Sequence, residues 1–323
     1  MRLHQPFAGH HLREHDLRGA SGNRVDRADH EAHHVHPGHG QPAHPPGQRH
    51  AGQDHPDHRF ALVVGTDILR ETGRWYRFDR VKELARIVAV GHRVVHGGDR
   101  YSHPVVLSAA DLEQLAQYNR LAPLHQPHNL AGIEAFSQAF PDLPQIACFD
   151  TAFHGTVPND ERQFALPQAL TQQGVRRYGF HGLSYQYIMG ALKEHTPRAN
   201  DRVLMAHLGN GASLCAALAG RSQATTMGFS ALDGLMMGTR SGSLDAGVVL
   251  YLLEQGWTHD RLQSLLYKQS GLLGVSGVSA DMRKLRAETT PSAQWAIHLF
   301  THRIIRESGA LIACLQGLDV LAF

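Results

Sequence analysis

Lysine is nearly absent from this chain. Four lysines stand beside 27 arginines and 29 acidic residues, leaving a formal net charge of only +2 with histidine neutral. Such a balance creates no field that would gather nucleic acid or an acidic membrane surface. Cysteine is also scarce: Cys148, Cys215 and Cys314 are widely spaced, odd in number and form no CxxC pair. That pattern speaks against a disulfide framework or a structural zinc site, and a reducing compartment fits it best. No apolar run approaches the ~18 residues of a membrane span, and the first residues lack the apolar core of a secretory signal. We therefore expect a soluble, cytoplasmic protein with neither nucleic acid nor membrane as partner.

Residues 1–60 lack still more. They contain no Lys, Ile, Tyr or Trp, only seven Val, Leu and Phe in total, and yet 13 of the 25 histidines and six prolines. So few apolar groups, without a period of 2 or 3.6, cannot offset an ordering entropy of ~1–2 kcal/mol per residue, and disorder is expected. Three readings fit this stretch. It is a His-rich metal-binding tract around His33, His34, His36 and His39, a solvated tail, or an out-of-frame or misassigned start in a GC-rich gene, which the arginine-over-lysine bias suggests.

The texture changes near Val81. Residues 85–95 form a Val- and Ile-rich run that reads as a buried strand. Ser108 and Asp111 before Leu112 and Leu115 predict a capped amphipathic helix. Gln145–Phe149 reads as a strand and Ser184–His195 as a helix. Arg202–Leu208 and Ala212–Ala219 are apolar runs joined by Gly209, Asn210 and Gly211, a hairpin signal. Thr290-Pro291 opens a long helix to about Gln316, and Leu318–Phe323 resembles a strand. Strands alternating with helices argue for an α/β class, in a chain of 323 residues that can hold two domains.

Five stretches carry chemistry. In GHRVVHGG (91–98), Arg93 ends a buried strand before paired glycines, where α/β sheets open a crevice, and its guanidinium suits a carboxylate or phosphate; a buried ion pair beside a turn would look the same. In FDTAFH (149–154), Asp150 suits magnesium or a helix cap. YGFHG (178–182) sets His181 where it can donate to a phosphoryl oxygen or serve structure alone. HLGNGAS (207–213) is a hairpin whose small tip also admits phosphates to backbone N–H groups. MGTRSGSLD (237–245) gathers Thr, Arg, Ser and Gly before a helix, an anion-binding composition.

In this order, these stretches resemble the acetokinase family, from about Ile87 to Phe323. The resemblance implies an α/β, two-lobed acetate and sugar kinase/Hsp70/actin-like fold, incomplete here at both ends. Residues 61–150 would be the remnant of the N-terminal lobe, and 151–323 a truncated nucleotide-binding lobe. It implies reversible phosphoryl transfer from ATP to acetate, giving acetyl phosphate and ADP, with Mg²⁺ as cofactor and a homodimeric assembly. Residue by residue, Arg93 and Arg240 would clamp the carboxylate and the moving phosphoryl group, His181 would stabilise that group, and Asp150 would be the acid/base or magnesium-linked residue. Val94, Leu124 and Phe180 would line a small apolar pocket, with His125 nearby. His207, Leu208, Gly209, Asn210 and Gly211 would cradle the ATP phosphates, and Asp281, Met282 and Arg283 would lie against the adenosine.

The departures from the family pattern also shape the expectations. Nothing in residues 1–80 matches the family's Asn-Ala-Gly-Ser-Ser-Ser loop, and Phe323 comes just before its Gly-Gly-Ile-Gly-Glu adenosine loop. The family's late acidic magnesium ligand has no counterpart here, so no direct metal ligand is assigned beyond the magnesium-linked role implied for Asp150, and little or no activity is expected of this chain. Ala231 and Ala246 stand where proline is common. A smaller residue at 231 would admit a longer acyl chain such as propionate, at ~1–3 kcal/mol per methylene. The remaining alternatives are a short-chain carboxylate (propionate) kinase, a catalytically dead nucleotide-binding fragment and a His-rich metal-binding protein. The kinase reading requires Arg93, Asp150, His181, Asn210 and Arg240 to converge on one cleft.

Overall fold

The computed structural model describes residues 60–64 and 87–323, all within one compact unit, His55–Phe323. The expectations for residues 1–59, disorder and the metal-binding tract alike, lie outside the described residues. Among the described residues the architecture is mixed α/β with two four-stranded sheets.

The first sheet has the order β1 (Phe60–Val64), β2 (Ile87–Val94), β4 (Gln145–Phe149), β3 (Val105–Val106). β1, β2 and β4 run parallel, and β3 is antiparallel to β4. Between β3 and β4 lie α1 (Ala109–Ala116) and α2 (Gln126–Ala139). α1 begins with the expected capping box: Asp111 N–H donates to Ser108 Oγ, and Ser108 N–H donates to Asp111 Oδ2. On β2 the pleat buries Val90, His92 and Val94 on the face that α2 covers with Leu130, Ile133 and Phe136. The opposite face carries Gly91 and Arg93, because side chains alternate along a strand.

Two buried polar residues of α2 explain why the chain beyond β2 stays in place. Asn129 Oδ1 accepts from Val95 N–H at 2.9 Å, while Gln126 accepts from His96 N–H and donates to its carbonyl. These bonds stand in for the ladder partners that a chain leaving its sheet would lose.

The second sheet has the order β7 (Arg221–Thr225), β6 (Ala212–Leu218), β5 (Val203–Leu208), β8 (Val320–Ala322). It is sandwiched between two helices, α5 (Gly182–His195) and α10 (Pro291–Cys314). Val203, Met205, Cys215 and Ala217 face Tyr185 and Met189 of α5, whereas Leu204, Leu214 and Ala216 face Leu311 of α10. With both faces covered, β6 is buried at every residue but its last. Period 2 then places His207 and Ser213, which are register partners, on the α5 face. The remaining helices are short: α3 (Asn159–Arg162), α4 (Gln168–Gln172), α6 (Ala246–Glu254), α7 (His259–Lys268), α8 (Gly271–Ser276) and α9 (Met282–Ala287). None of the described helices is long and apolar enough to cross a membrane.

Two buried histidines join the halves of this unit. His154 donates from Nε2 to the Phe180 carbonyl at 2.9 Å and meets Ser222 Oγ with Nδ1 at 2.9 Å. His96 is enclosed by the rings of Tyr118, Tyr178 and Phe180. Burial pushes each imidazole down to about 4. An unfolded chain protonates histidine near 6.5, so between about pH 6.5 and 4 the unfolded state binds more protons and stability falls as pH falls. The full effect is about 3 kcal/mol per histidine. We expect the urea midpoint to drop between pH 7 and 4.5, and His96→Gln to flatten that dependence. An unchanged midpoint would contradict this account.

Candidate functional site

β2 and β4 deliver the first two groups. Arg93 pairs in register with Cys148, and Asp150 follows two residues later on the same face of the sheet. The carboxylate of Asp150 is buried, and Arg93 donates to its Oδ2 from Nε at 3.0 Å and from Nη2 at 2.7 Å. The Asp150 backbone carbonyl accepts from Gly182 N–H at 2.8 Å, which ties the end of β4 to the start of α5.

His181 caps α5 in the left-handed conformation, with φ 61° and ψ 18°. Histidine tolerates that region better than most side chains, but holding it there costs about 1–3 kcal/mol, a reservoir often found at functional sites. Its ring stacks on His207 with centroids 4.0 Å apart. Burial holds its pKa well below the usual histidine range, aided by His207 and by the guanidinium charges of Arg93 and Arg240. Burial and Arg93 also lower His207, with Asp150 opposing. His181 is therefore neutral at pH 7.

The hairpin tip and the loop before α6 supply the other wall. A methyl group on Gly211 would stand 3.4 Å from His181 Nε2 and 3.6 Å from both terminal nitrogens of Arg240. Arg240 Nη1 donates to the Ala231 carbonyl at 2.8 Å. Gly238 N–H donates to the Asn210 carbonyl at 3.0 Å, and a side chain at 238 would collide with Asn210 Oδ1. Arg93, Asp150, His181, His207, Gly211 and Arg240 thus surround one cleft, with Asn210 at its rim. Leu208 is half exposed beside Gly209 on the same tip.

A small pocket adjoins Arg240, lined by Val95, Leu121, Leu124, His125, Ala231 and Tyr267 among others. Phe180 lies in the buried cluster behind it, with Val95 and Ala122. Val94 is not brought there. It packs on the α2 face with Leu130 and Ile133, and Val95 takes the pocket position because consecutive residues of an extended chain point to opposite sides. Asp281 caps α9 through Arg283 N–H and pairs with the Arg283 guanidinium. Met282 packs in a separate apolar cluster with Leu285. This segment starts beside the cleft rim, since a side chain on Gly238 would meet the Ala280 carbonyl at 3.4 Å.

A model of the acetokinase family matches residues 45–323. The chain belongs to the acetokinase family. The match begins upstream of Ile87, where the motif resemblance starts, and so includes β1. Among curated acetokinases, the acetate kinase of Rhodopseudomonas palustris is 59% identical over 241 residues, 74% of this chain and 61% of the relative. That of Rickettsia felis is 48% identical over 244 residues, 75% of this chain and 63% of the relative. The chain therefore spans a little over three fifths of the length of these relatives. Among solved structures, a propionate kinase from Francisella tularensis superposes with TM-score 0.74 at 40% identity, covering 80% of this chain and 68% of that one. The acetate kinase of Porphyromonas gingivalis gives 0.71 at 37%, covering 80% and 66%.

Four residues that shape this acetokinase cleft receive no role from the motif resemblance: Val95, Ser184, Tyr185 and Ser213. Their signals were present. Val95 is two residues from Arg93, Tyr185 is one helical turn from His181, and Ser213 is the hairpin partner of His207.

Proposed function

We propose that this acetokinase transfers the γ-phosphoryl group of ATP reversibly to a short-chain carboxylate, acetate giving acetyl phosphate and ADP. One observation carries the reading: an apolar pocket whose wall residue Ala231 holds Arg240 by its carbonyl, next to a neutral His181 and the Arg93–Asp150 pair. The pocket has room for about one methyl-sized group, and an acyl methyl seated there would bring its carboxylate toward the Arg240 guanidinium held at the Ala231 carbonyl. The nucleophile is already ionised near neutral pH, so no strong base is needed. What remains is to hold two anions together and neutralise the equatorial oxygens. Arg93 and Arg240 serve that purpose as fixed cations, and His181 as an uncharged hydrogen-bond donor.

The hairpin tip at 207–211 is the proposed phosphate cradle, and Asp281–Arg283 the proposed adenosine contact. Among the described residues no group of three or more His, Cys, Asp or Glu forms a metal site. Magnesium carried on a nucleotide needs only one or two protein carboxylates beside phosphate oxygens and water, and Asp150 is of that kind. When bound, the ion supplies charge neutralisation at the phosphates, and Asp150 would hold it or its water. In this reading the enzyme works in the cytoplasm as a homodimer. Trapping acyl phosphate with hydroxylamine, using acetate and MgATP, tests the reaction: the expected result is a slow but measurable hydroxamate signal, in keeping with the low activity expected of this chain, and none above a no-enzyme control would refute it.

Propionate is a second reading, favoured by Ala231 in the pocket wall and by the Francisella neighbour. Ala231→Pro is expected to narrow the pocket and shift the propionate-to-acetate ratio of kcat/KM toward acetate by about tenfold, the worth of roughly one methylene. An unchanged ratio would remove Ala231 from the specificity account.

A further inference from the structure

Each of the two stacked imidazoles in the cleft meets a serine: His207 Nδ1 lies 3.1 Å from Ser184 Oγ, and His181 Nδ1 lies 2.8 Å from Ser213 Oγ. The second contact continues inward. Ser213 Oγ is also 2.5 Å from the hydroxyl of Tyr185, a side chain fully buried between α5 and the second sheet.

The protons along this line can be counted. Ser213 is fully buried, and among the described residues its hydroxyl meets only His181 and Tyr185. If His181 carried its proton on Nδ1 and gave it to Ser213, the serine proton would have to go to Tyr185. The tyrosine oxygen would then only accept, and its own proton would be left without an acceptor in a dry interior, which is costly. The reverse order leaves nothing unpaired. Tyr185 donates to Ser213, Ser213 donates to His181 Nδ1, and the imidazole proton resides on Nε2. That nitrogen is the His181 atom facing Gly211, where a Cβ would lie 3.4 Å from it and 3.6 Å from the Arg240 terminal nitrogens.

We infer that Ser213 and Tyr185 are positioning residues that fix His181 as the Nε2–H tautomer, so that a neutral imidazole presents a donor, and not a lone pair, to the cleft. The purpose rests on the phosphoryl-transfer reading, because an anionic group needs donors and the other tautomer would repel it. The tautomer itself can be measured without turnover.

The test is a long-range ¹H–¹⁵N correlation spectrum of the full chain labelled with ¹⁵N-histidine at pH 7. His181 is identified by its contacts to Tyr185 and Ser213. The expected result is a protonated Nε2 and a bare Nδ1. Ser213→Ala should give a mixed tautomer signature, with kcat lowered about tenfold and both KM values within twofold, less than the ~10²–10³ expected for losing a preorganised donor. Tyr185→Phe should act in the same direction and more weakly, because Ser213 can still donate to Nδ1. A wild-type His181 protonated on Nδ1, or on both nitrogens, overturns the inference, as does an unchanged tautomer in Ser213→Ala. A chain that forms no acyl phosphate yet shows the Nε2–H tautomer refutes the phosphoryl-transfer reading and supports the relay.

Discussion

Alanine in place of Arg240 is expected to lower kcat for acyl phosphate formation by about 10²–10³-fold, with a raised KM for the carboxylate. Arg240 is anchored by the Ala231 carbonyl in the pocket wall, and its terminal nitrogens approach the hairpin tip near His181 Nε2. It therefore stands where an acyl group held in the pocket would present its carboxylate to the transferred phosphoryl group. Lysine should not rescue it, since a single ammonium cannot donate to Ala231 and to an anion in the same fork geometry. The melting temperature should move little, because the guanidinium belongs to a cleft and not to the core. A variant keeping kcat within threefold of the parent would remove Arg240 from the clamp.

The second large effect is expected at Gly182, where nothing polar is lost. A Cβ on this residue would fall well inside contact distance of the Asp150 backbone carbonyl and 3.0 Å from Phe153 Cβ. Neither neighbour is the flexible end of a side chain, so α5 or the end of β4 must shift. Because His181 precedes Gly182 and Asp150 carries the cleft carboxylate, the shift separates the two. Displacement by about an ångström can cost ~10²-fold in rate, and forced overpacking about 1–3 kcal/mol in stability. The sign is diagnostic. Gly182 is the first residue of α5, and helix propensity alone would make alanine more stabilising by up to ~1 kcal/mol. Gly182→Ala that is both more stable and fully active would show that the close approach is not needed.

Much of the fold was legible because local and tertiary demands agree there. Gln145–Phe149 is a strand over the residues its apolar run indicated, and Ser108 with Asp111 forms the capping box that their spacing implied. The hairpin across Gly209–Gly211 and the long helix opened by Pro291 follow the same rule. Other elements were hidden. β7 reads RSQAT, with no apolar alternation, and it is a strand because β6 supplies its ladder. α2 buries Gln126 and Asn129, polar residues that a pattern reading places outward. They are buried because the backbone of Val95 and His96 needs hydrogen-bond partners away from its sheet.

The sequence by itself determined the family, the α/β class and the residue types that meet in the cleft, because five long and compositionally unusual motifs carry that information without reference to packing. It could not determine which of two adjacent valines enters the pocket. The pleat of β2 decided for Val95, since alternation depends on where the strand lies against α2. Nor could it reveal that Ser213 and Tyr185 stand behind His181. Those residues are 28 apart in the chain and meet only once sheet pairing and helix docking have set both on one face. Local periodicity names the faces of an element, but only tertiary contact decides what each face meets.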